Sequence, residues 1–257
     1  MAVPSDDWNP GAYGRFRGLR LRPALDLLAQ VGDLPPGPVV DLGCGTGAAG
    51  PALAARFAGR TVLGLDASPA MLAEAGATGA YVRLVEADIA DWRPQDPPAL
   101  IFSNAALHWL GDHDRLMPRL AGALAPGGVL AVQMPGQGDA PSHRLAREVA
   151  ARLWGAAPAA VRVEDPAWYA RRLAPLGAVE AWETTYLQPL SPAAEGHPVR
   201  LFTQSTLLRP ILAERDAAET AAFLRAYDAA LADAYPPEPD GPVLFPFRRV
   251  FFTLRRA

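Results

Sequence analysis

Val39-Val40-Asp41-Leu42-Gly43-Cys44-Gly45-Thr46-Gly47 decides the fold. An apolar run ends in a carboxylate, three alternate glycines follow, and Leu53, Ala54 and Phe57 then recur at helical spacing. The stretch therefore reads as strand, tight loop and helix. Glycine tolerates positive φ and carries no Cβ, so the loop predicts a backbone cradle that a ligand can approach closely. Open α/β sheets bind ligands at the carboxyl ends of their strands, which is where this loop falls.

Two further apolar runs end the same way: Thr61-Val62-Leu63-Gly64-Leu65-Asp66, and Tyr81-Val82-Arg83-Leu84-Val85-Glu86-Ala87-Asp88. Asp41, Asp66 and Asp88 are thus predicted to close three successive strands. Gly43 to Ala48 also fits a dinucleotide fingerprint, which seats pyrophosphate on a helix N-terminus. Three carboxylates around one crevice would repel that anion, whereas they suit a cationic adenosyl sulfonium with an amino-acid tail. In this pattern the chain resembles the class I methyltransferases, which use S-adenosylmethionine. The resemblance implies Asp66, with Ala67 beside it, as ribose acceptor, Asp88, Ile89 and Met71 around the adenine, and Gly43, Cys44, Gly45 and Gly47 with Asn104 along the methionine portion. Asp41 either joins that set or orders the loop through backbone N–H groups. Met71 at helical spacing also suits a core position.

Strand and helix signals alternate five times, which implies a parallel sheet with right-handed crossovers. Ser68 and Pro69 open a helix as N-cap and first helical residue. A fourth strand, Ala99 to Asn104, runs into Ala105-Ala106-Leu107-His108-Trp109, and a fifth spans Val129 to Pro135. Helices are expected over Ser142 to Leu153 and Pro166 to Leu173, a sixth strand over Val179 to Leu187, and a last strand over Val243 to Leu254. That last strand is expected to run antiparallel at or near the edge, where Pro246 would be tolerated. Between the last two strands lie some fifty residues with a helix from Ala217 to Ala234, read as a helical cap at 191–240. Residues 1–34 hold Trp8 and Tyr13 ahead of a helix whose apolar face comprises Leu25, Leu27, Leu28 and Val31, a segment suited to a lid. The expected fold is one α/β domain over 1–257: a Rossmann-like, seven-stranded, mostly parallel sheet with helices on both faces.

The 257 residues carry 24 basic and 27 acidic side chains, a net charge of −3 that argues against nucleic-acid binding. Every basic residue is Arg, which removes a lysine nucleophile from consideration. A single cysteine, Cys44, excludes an intrachain disulfide and a multi-cysteine metal site, and no metal is expected. The amino terminus lacks the basic and apolar regions of a signal peptide, and no apolar run approaches the ~18 residues of a membrane span. The cytoplasm is the expected compartment. Nothing in the pattern fixes an oligomeric state.

Several stretches together resemble the trans-aconitate 2-methyltransferases: Trp8-Asn9-Pro10 with Tyr13, Arg20, Arg22 and Pro23; Asp41 to Gly45; Ser68 to Met71; Glu86-Ala87-Asp88-Ile89; Asn104-Ala105 with Trp109-Leu110; Gln133-Met134-Pro135; Trp182-Glu183-Thr184-Thr185-Tyr186; Leu208-Arg209-Pro210; and Phe245-Pro246-Phe247 with Arg249. The resemblance implies methyl transfer from S-adenosylmethionine to a carboxylate of trans-aconitate, giving a monomethyl ester and S-adenosylhomocysteine. Where the family carries Trp the chain has Phe202, Ser205 and Leu207 stand where it carries Gly, Gln188 where it carries His, and Arg248 where it carries Pro. These departures leave methyl transfer intact and bear on which acid is accepted.

A carboxylate acceptor is ionised at neutral pH, so no general base is needed to create the nucleophile. Catalytic residues in the acid–base sense are accordingly not expected, and His108 is the one weak candidate. A di- or tricarboxylate calls instead for guanidinium forks. Arg209 and Arg249 are the first choices and Arg22 and Arg20 the second, with His143, Tyr186 and Tyr13 as neutral hydrogen-bonding groups. Trp109 and Trp8 are assigned to the cofactor side. Competing readings are a methyltransferase for another small acid or secondary metabolite, a nicotinamide oxidoreductase, and a non-catalytic S-adenosylmethionine-binding protein.

Overall fold

The computed structural model describes residues 17–157, 159, 162–239 and 241–257. The chain divides into two compact units. The first holds the described residues up to Pro135, with Val163–Thr184 and Arg249–Ala257; the second holds Gly136–Arg162 and Thr185–Arg248.

The first unit begins with α1, Arg17–Ala29, followed by β1 (Val39–Leu42), α2 (Gly50–Arg56), β2 (Val62–Asp66), α3 (Pro69–Ala77), β3 (Arg83–Glu86), β4 (Leu100–Asn104), α4 (His113–Ala123) and β5 (Val129–Pro135). β1 pairs in parallel with β2 and β4, β2 with β3, and β4 with β5. Strands covered on both faces need apolar side chains on both, which is why β1 and β5 read as nearly unbroken apolar runs. Ser68 caps α3 as its sequence implies, its Oγ accepting from Met71 N at 3.3 Å. β6 (Gly177–Leu190) and β7 (Val243–Arg256) complete a seven-stranded sheet in the order β3-β2-β1-β4-β5-β7-β6.

On one sheet face Ile101, Leu130, Val132, Val250, Phe252 and Leu254 meet Leu116, Met117 and Leu120 of α4, together with Tyr169 and Leu173 of a helix at Pro166–Leu173. Tyr169 stacks on Phe252 with ring centroids 4.9 Å apart. α1 packs against β5 and buries Ala24, Leu27 and Leu28, and Val31, just past the helix, is buried as well. Leu25, expected on that face, is 42 % exposed, because it falls about 100° from Ala24 around the helix. Pro23 lies inside the helix.

In the second unit the helix Pro141–Trp154 packs against Ala217–Ala234, which joins Phe223, Tyr227 and Leu231 to the core. Trp154 stacks on Phe223, and Tyr227 Oη donates to Ser142 O at 2.9 Å. Asp216 and Glu219 close a capping box at the start of the long helix. The segment after β6 therefore folds together with a helix that precedes it by some forty residues, which the 191–240 boundary did not include.

β7 is antiparallel to β5 and near the edge, as expected, second in the order, with β6 as the edge strand. The pairing of β7 with β5 begins at Arg249, so Pro246 sits beyond the last β5 partner, where a missing N–H costs nothing to that ladder. β3 is shorter than the Tyr81–Asp88 run, because Tyr81 is diverted to cover glycines and Asp88 opens a turn. No helix among the described residues is long and apolar enough to cross a membrane.

Phe252 is fully buried and stacked, so Phe252→Ala should destabilise the protein by about 3–5 kcal/mol. Chemical denaturation checks this; a loss below about 1 kcal/mol would mean the cavity collapses freely.

Candidate active site

The loop after β1 is built by three glycines in the left-handed region: Gly43 at φ 75°, Gly45 at 53° and Gly47 at 77°. A Cβ on Gly43 would lie 2.3 Å from Cβ of Ala106, and one on Gly47 would lie 2.9 Å from Cα of Ala75. Those two glycines are required by the protein's own packing. Among the described residues a Cβ on Gly45 would meet no atom within 4 Å, so its bare backbone faces open space there. That is the geometry of a cradle for a ligand.

Asp66 ties the cradle to the end of β2. One carboxylate oxygen accepts from Gly45 N and the other from Ser68 N, both at 2.9 Å. A carboxylate offers about four lone-pair sites, so acceptor capacity for vicinal hydroxyls is left over. Asp88 lies two residues beyond β3 and accepts from Ala90 N at 2.8 Å. Arg119 of α4 donates to the carbonyls of Ile89 and Trp92, pinning the turn that carries Asp88 and Ile89. Ala67 is exposed between Asp66 and Ser68, while Met71 is 4 % exposed and belongs to the core.

Asp41 has a different place from the one expected. It is 2 % exposed and accepts from Tyr81 Oη at 2.7 Å, and this phenol, not loop amides, is its side-chain partner. Burial pushes its pKa up to about 7, against the pull of the Tyr81 hydrogen bond, and the nearby Asp66 charge adds to the rise. Cys44 is equally unsuited to nucleophilic work. Burial, then Asp41 and Asp66, push its thiol far above the usual range, which keeps it protonated.

The turn after β4 is strained: Ala105 has φ 55° and donates its N–H to Gln133 O at 2.9 Å. Left-handed backbone on a residue with a Cβ costs about 1–2 kcal/mol and tends to collect at functional sites. His108 and Trp109 follow in a 3₁₀ turn, their rings 4.7 Å apart. Asn104 and Gln133 are register partners at the carboxyl ends of β4 and β5. Among the described residues Asn104 Oδ1 and Gln133 Nε2 are buried with no hydrogen-bond partner. Arg249, 3 % exposed and opposite Pro135, donates from Nη1 to Gln133 Oε1 at 3.2 Å. Gln133 is not among the predicted site residues, although a glutamine inside Val-Leu-Ala-Val-Gln-Met-Pro is a polar group where the pattern wants an apolar one.

Of the other predicted acid-binding groups, Arg22 is exposed and 3.8 Å from Asp26 on the same helix. Trp8 and Tyr13 lie outside the described residues, as does the side chain of Arg20. Arg209, His143 and Tyr186 belong to the second unit. There His143 Nδ1 lies 3.1 Å from Ser142 Oγ, and burial, reinforced by Arg147, lowers its pKa to about 4, so the ring is neutral at physiological pH.

A seven-stranded, mostly parallel sheet whose β7 runs antiparallel to β5, with a glycine cradle after its first strand and an aspartate at the end of its second, is the frame of the class I methyltransferases, and comparison with known proteins places the chain among them. Residues 39–128 match a family model described as a methyltransferase domain. A trans-aconitate 2-methyltransferase of Methylobacterium nodulans is 47 % identical, over 98 % of this chain and 99 % of its own, and that of Methylobacterium radiotolerans is 46 % identical over the same shares. The chain belongs to the trans-aconitate 2-methyltransferase family. Among solved structures, a Haloferax volcanii methyltransferase in complex with its activator has the same fold, with a TM-score of 0.60 at 19 % identity over 99 % of this chain and 98 % of its own.

The folded chain holds a proton on Asp41 that the unfolded chain releases between its ordinary 3.8 and about 7. The stability Asp41 contributes is therefore complete below 3.8 and is lost as pH rises through about 7. Asp41→Asn should lack this dependence, so its Tm relative to the parent protein should rise from pH 5 to pH 8. A constant difference across that range would show that Asp41 titrates normally.

Proposed function

We propose that the protein transfers a methyl group from S-adenosylmethionine to one carboxylate of trans-aconitate, giving the monomethyl ester and S-adenosylhomocysteine. The observation that carries this reading is end-to-end identity of 41–47 % with trans-aconitate 2-methyltransferases. The buried guanidinium of Arg249 beside the strand ends suits an anionic acceptor. The nicotinamide reading falls with the family assignment, since nothing in it accounts for that cation or for an aspartate after the third strand.

The residues present fit the cofactor. Open space at Gly45 admits a ligand backbone, and Asp66 retains acceptor capacity toward ribose hydroxyls. Asp88 and Ile89 would border the adenine, and Asn104 would meet the methionine portion. What the bound cofactor supplies is a methyl carbon already activated by a sulfonium. The chain's own task is positioning. Its acceptor arrives ionised, so no residue has to remove a proton. Arg249 would hold a carboxylate through charge-assisted hydrogen bonds. Holding reactants in line with water excluded contributes roughly 7–11 kcal/mol in favourable cases. Neither His108 nor Cys44 is required.

Labelled methyl supplied as S-adenosylmethionine to a panel of di- and tricarboxylates should appear as ester predominantly on trans-aconitate. Equal or greater labelling of another acid would replace the acceptor while keeping the reaction. Gly45→Ala keeps the protein's own contacts intact. Calorimetry should find its affinity for S-adenosylhomocysteine reduced about tenfold or more, with only a modest fall in Tm. Unchanged affinity would remove Gly45 from the cofactor site.

A further inference from the structure

A glutamine at the middle of a buried strand is an expense unless something uses it. In β5, Leu130, Ala131, Val132 and Met134 are all fully buried and apolar, and Gln133 is as deeply buried as they are. Its two amide atoms are treated differently. Oε1 accepts from Arg249 Nη1 at 3.2 Å, while Nε2 has no hydrogen-bond partner among the described residues. The orientation of the amide is not arbitrary. A guanidinium only donates, so the atom facing it must be the carbonyl oxygen, and the NH₂ group is thereby turned away from Arg249. Burying an amide donor without a partner is destabilising, so an apolar side chain would serve the strand better.

The place of this donor is informative. Gln133 pairs in register with Asn104, the last residue of β4, so both side chains leave the sheet on one face at the carboxyl end. Gln133 O also accepts from Ala105 N, and the next residue, Ala106, is the one that packs on Gly43 of the cradle. The amide thus stands one strand further from the glycine loop than Asn104, in the strand order β1-β4-β5. A donor beside a buried guanidinium makes an anion site, and the second anion in the proposed reaction is the acceptor acid.

We propose that Gln133 is a substrate-binding residue whose Nε2 donates to a carboxylate of the acid acceptor, its amide being oriented for this by Arg249. The inference rests on the carboxyl methyltransferase reading given above and adds to it a neutral donor that selects an ionised carboxylate. Asn104 Oδ1, an acceptor, has the opposite polarity and is left to the cationic side of the cofactor.

Two variants test it. Gln133→Glu keeps an oxygen toward Arg249 but replaces the donor with an anion; Gln133→Met keeps the length and removes both polar atoms. Each should raise KM for trans-aconitate about tenfold or more, the size expected for a lost hydrogen bond to a charged group, and Gln133→Glu should raise it further. Affinity for S-adenosylhomocysteine should stay within about twofold of the parent protein, a split that a merely structural role would not produce. Unchanged KM in both variants overturns the proposal. So does an equal loss of S-adenosylhomocysteine affinity, which would place the amide on the cofactor. Should the parent protein esterify no acid, the carboxyl methyltransferase reading fails on its own. Calorimetry of trans-aconitate on the S-adenosylhomocysteine complex then decides Gln133 separately: weaker binding in both variants supports it, and equal or no binding in all three overturns it.

Discussion

Gly43 has no room for a side chain, and much of the site follows from that. Its missing Cβ lets Ala106, just past β4, settle against the loop that follows β1. The glycine loop and the β4 turn are thereby locked as one piece of backbone, at the cost of a left-handed Ala105. Asp66 ties the same loop to β2 through Gly45 N and ties α3 to β2 through Ser68 N. Three strand ends are held together by one close contact and one carboxylate. At the ends of β4 and β5 that frame brings up the side chains of Asn104, Gln133 and Arg249.

This arrangement suits a reaction whose reactants come ready. An ionised carboxylate is already a nucleophile, and a sulfonium methyl is already an electrophile, so fixed geometry is the main thing a protein can add. Cys44 agrees with this, since burial and its acidic neighbours hold it as a thiol; Asp41, its pKa pushed up to about 7, accepts from Tyr81 with its carboxyl. In the proposed reaction the work in the first unit falls to backbone amides, the Asp66 and Asp88 carboxylates, a guanidinium and two carboxamides, with no proton transfer asked of any of them.

What was legible in the sequence was local. Ser68-Pro69 predicted a cap and a helix start from neighbouring residues, and the helix Ala217–Ala234 was marked by breaks around it. The glycine loop was legible because positive φ leaves a mark on composition. What was not legible depends on distant partners. Asp41 looked like a ligand-facing strand end until Tyr81, forty positions on, took its carboxylate. Gln133 looked like part of a motif until Arg249, 116 positions away, fixed its amide. Leu25 failed for a smaller reason: a leucine beside the apolar stripe of a helix counts toward its composition but not toward its buried face.

The central claim is that positioning, not proton transfer, does the catalytic work. Its most direct test is the single-turnover rate of methyl transfer to trans-aconitate measured from pH 7.5 to 9.5. The account predicts a level profile, since the acceptor is fully ionised and no residue of the site need change protonation over that range. A rate that climbs about tenfold per pH unit to a plateau, and loses that slope when His108 is replaced, would contradict it by revealing an essential base.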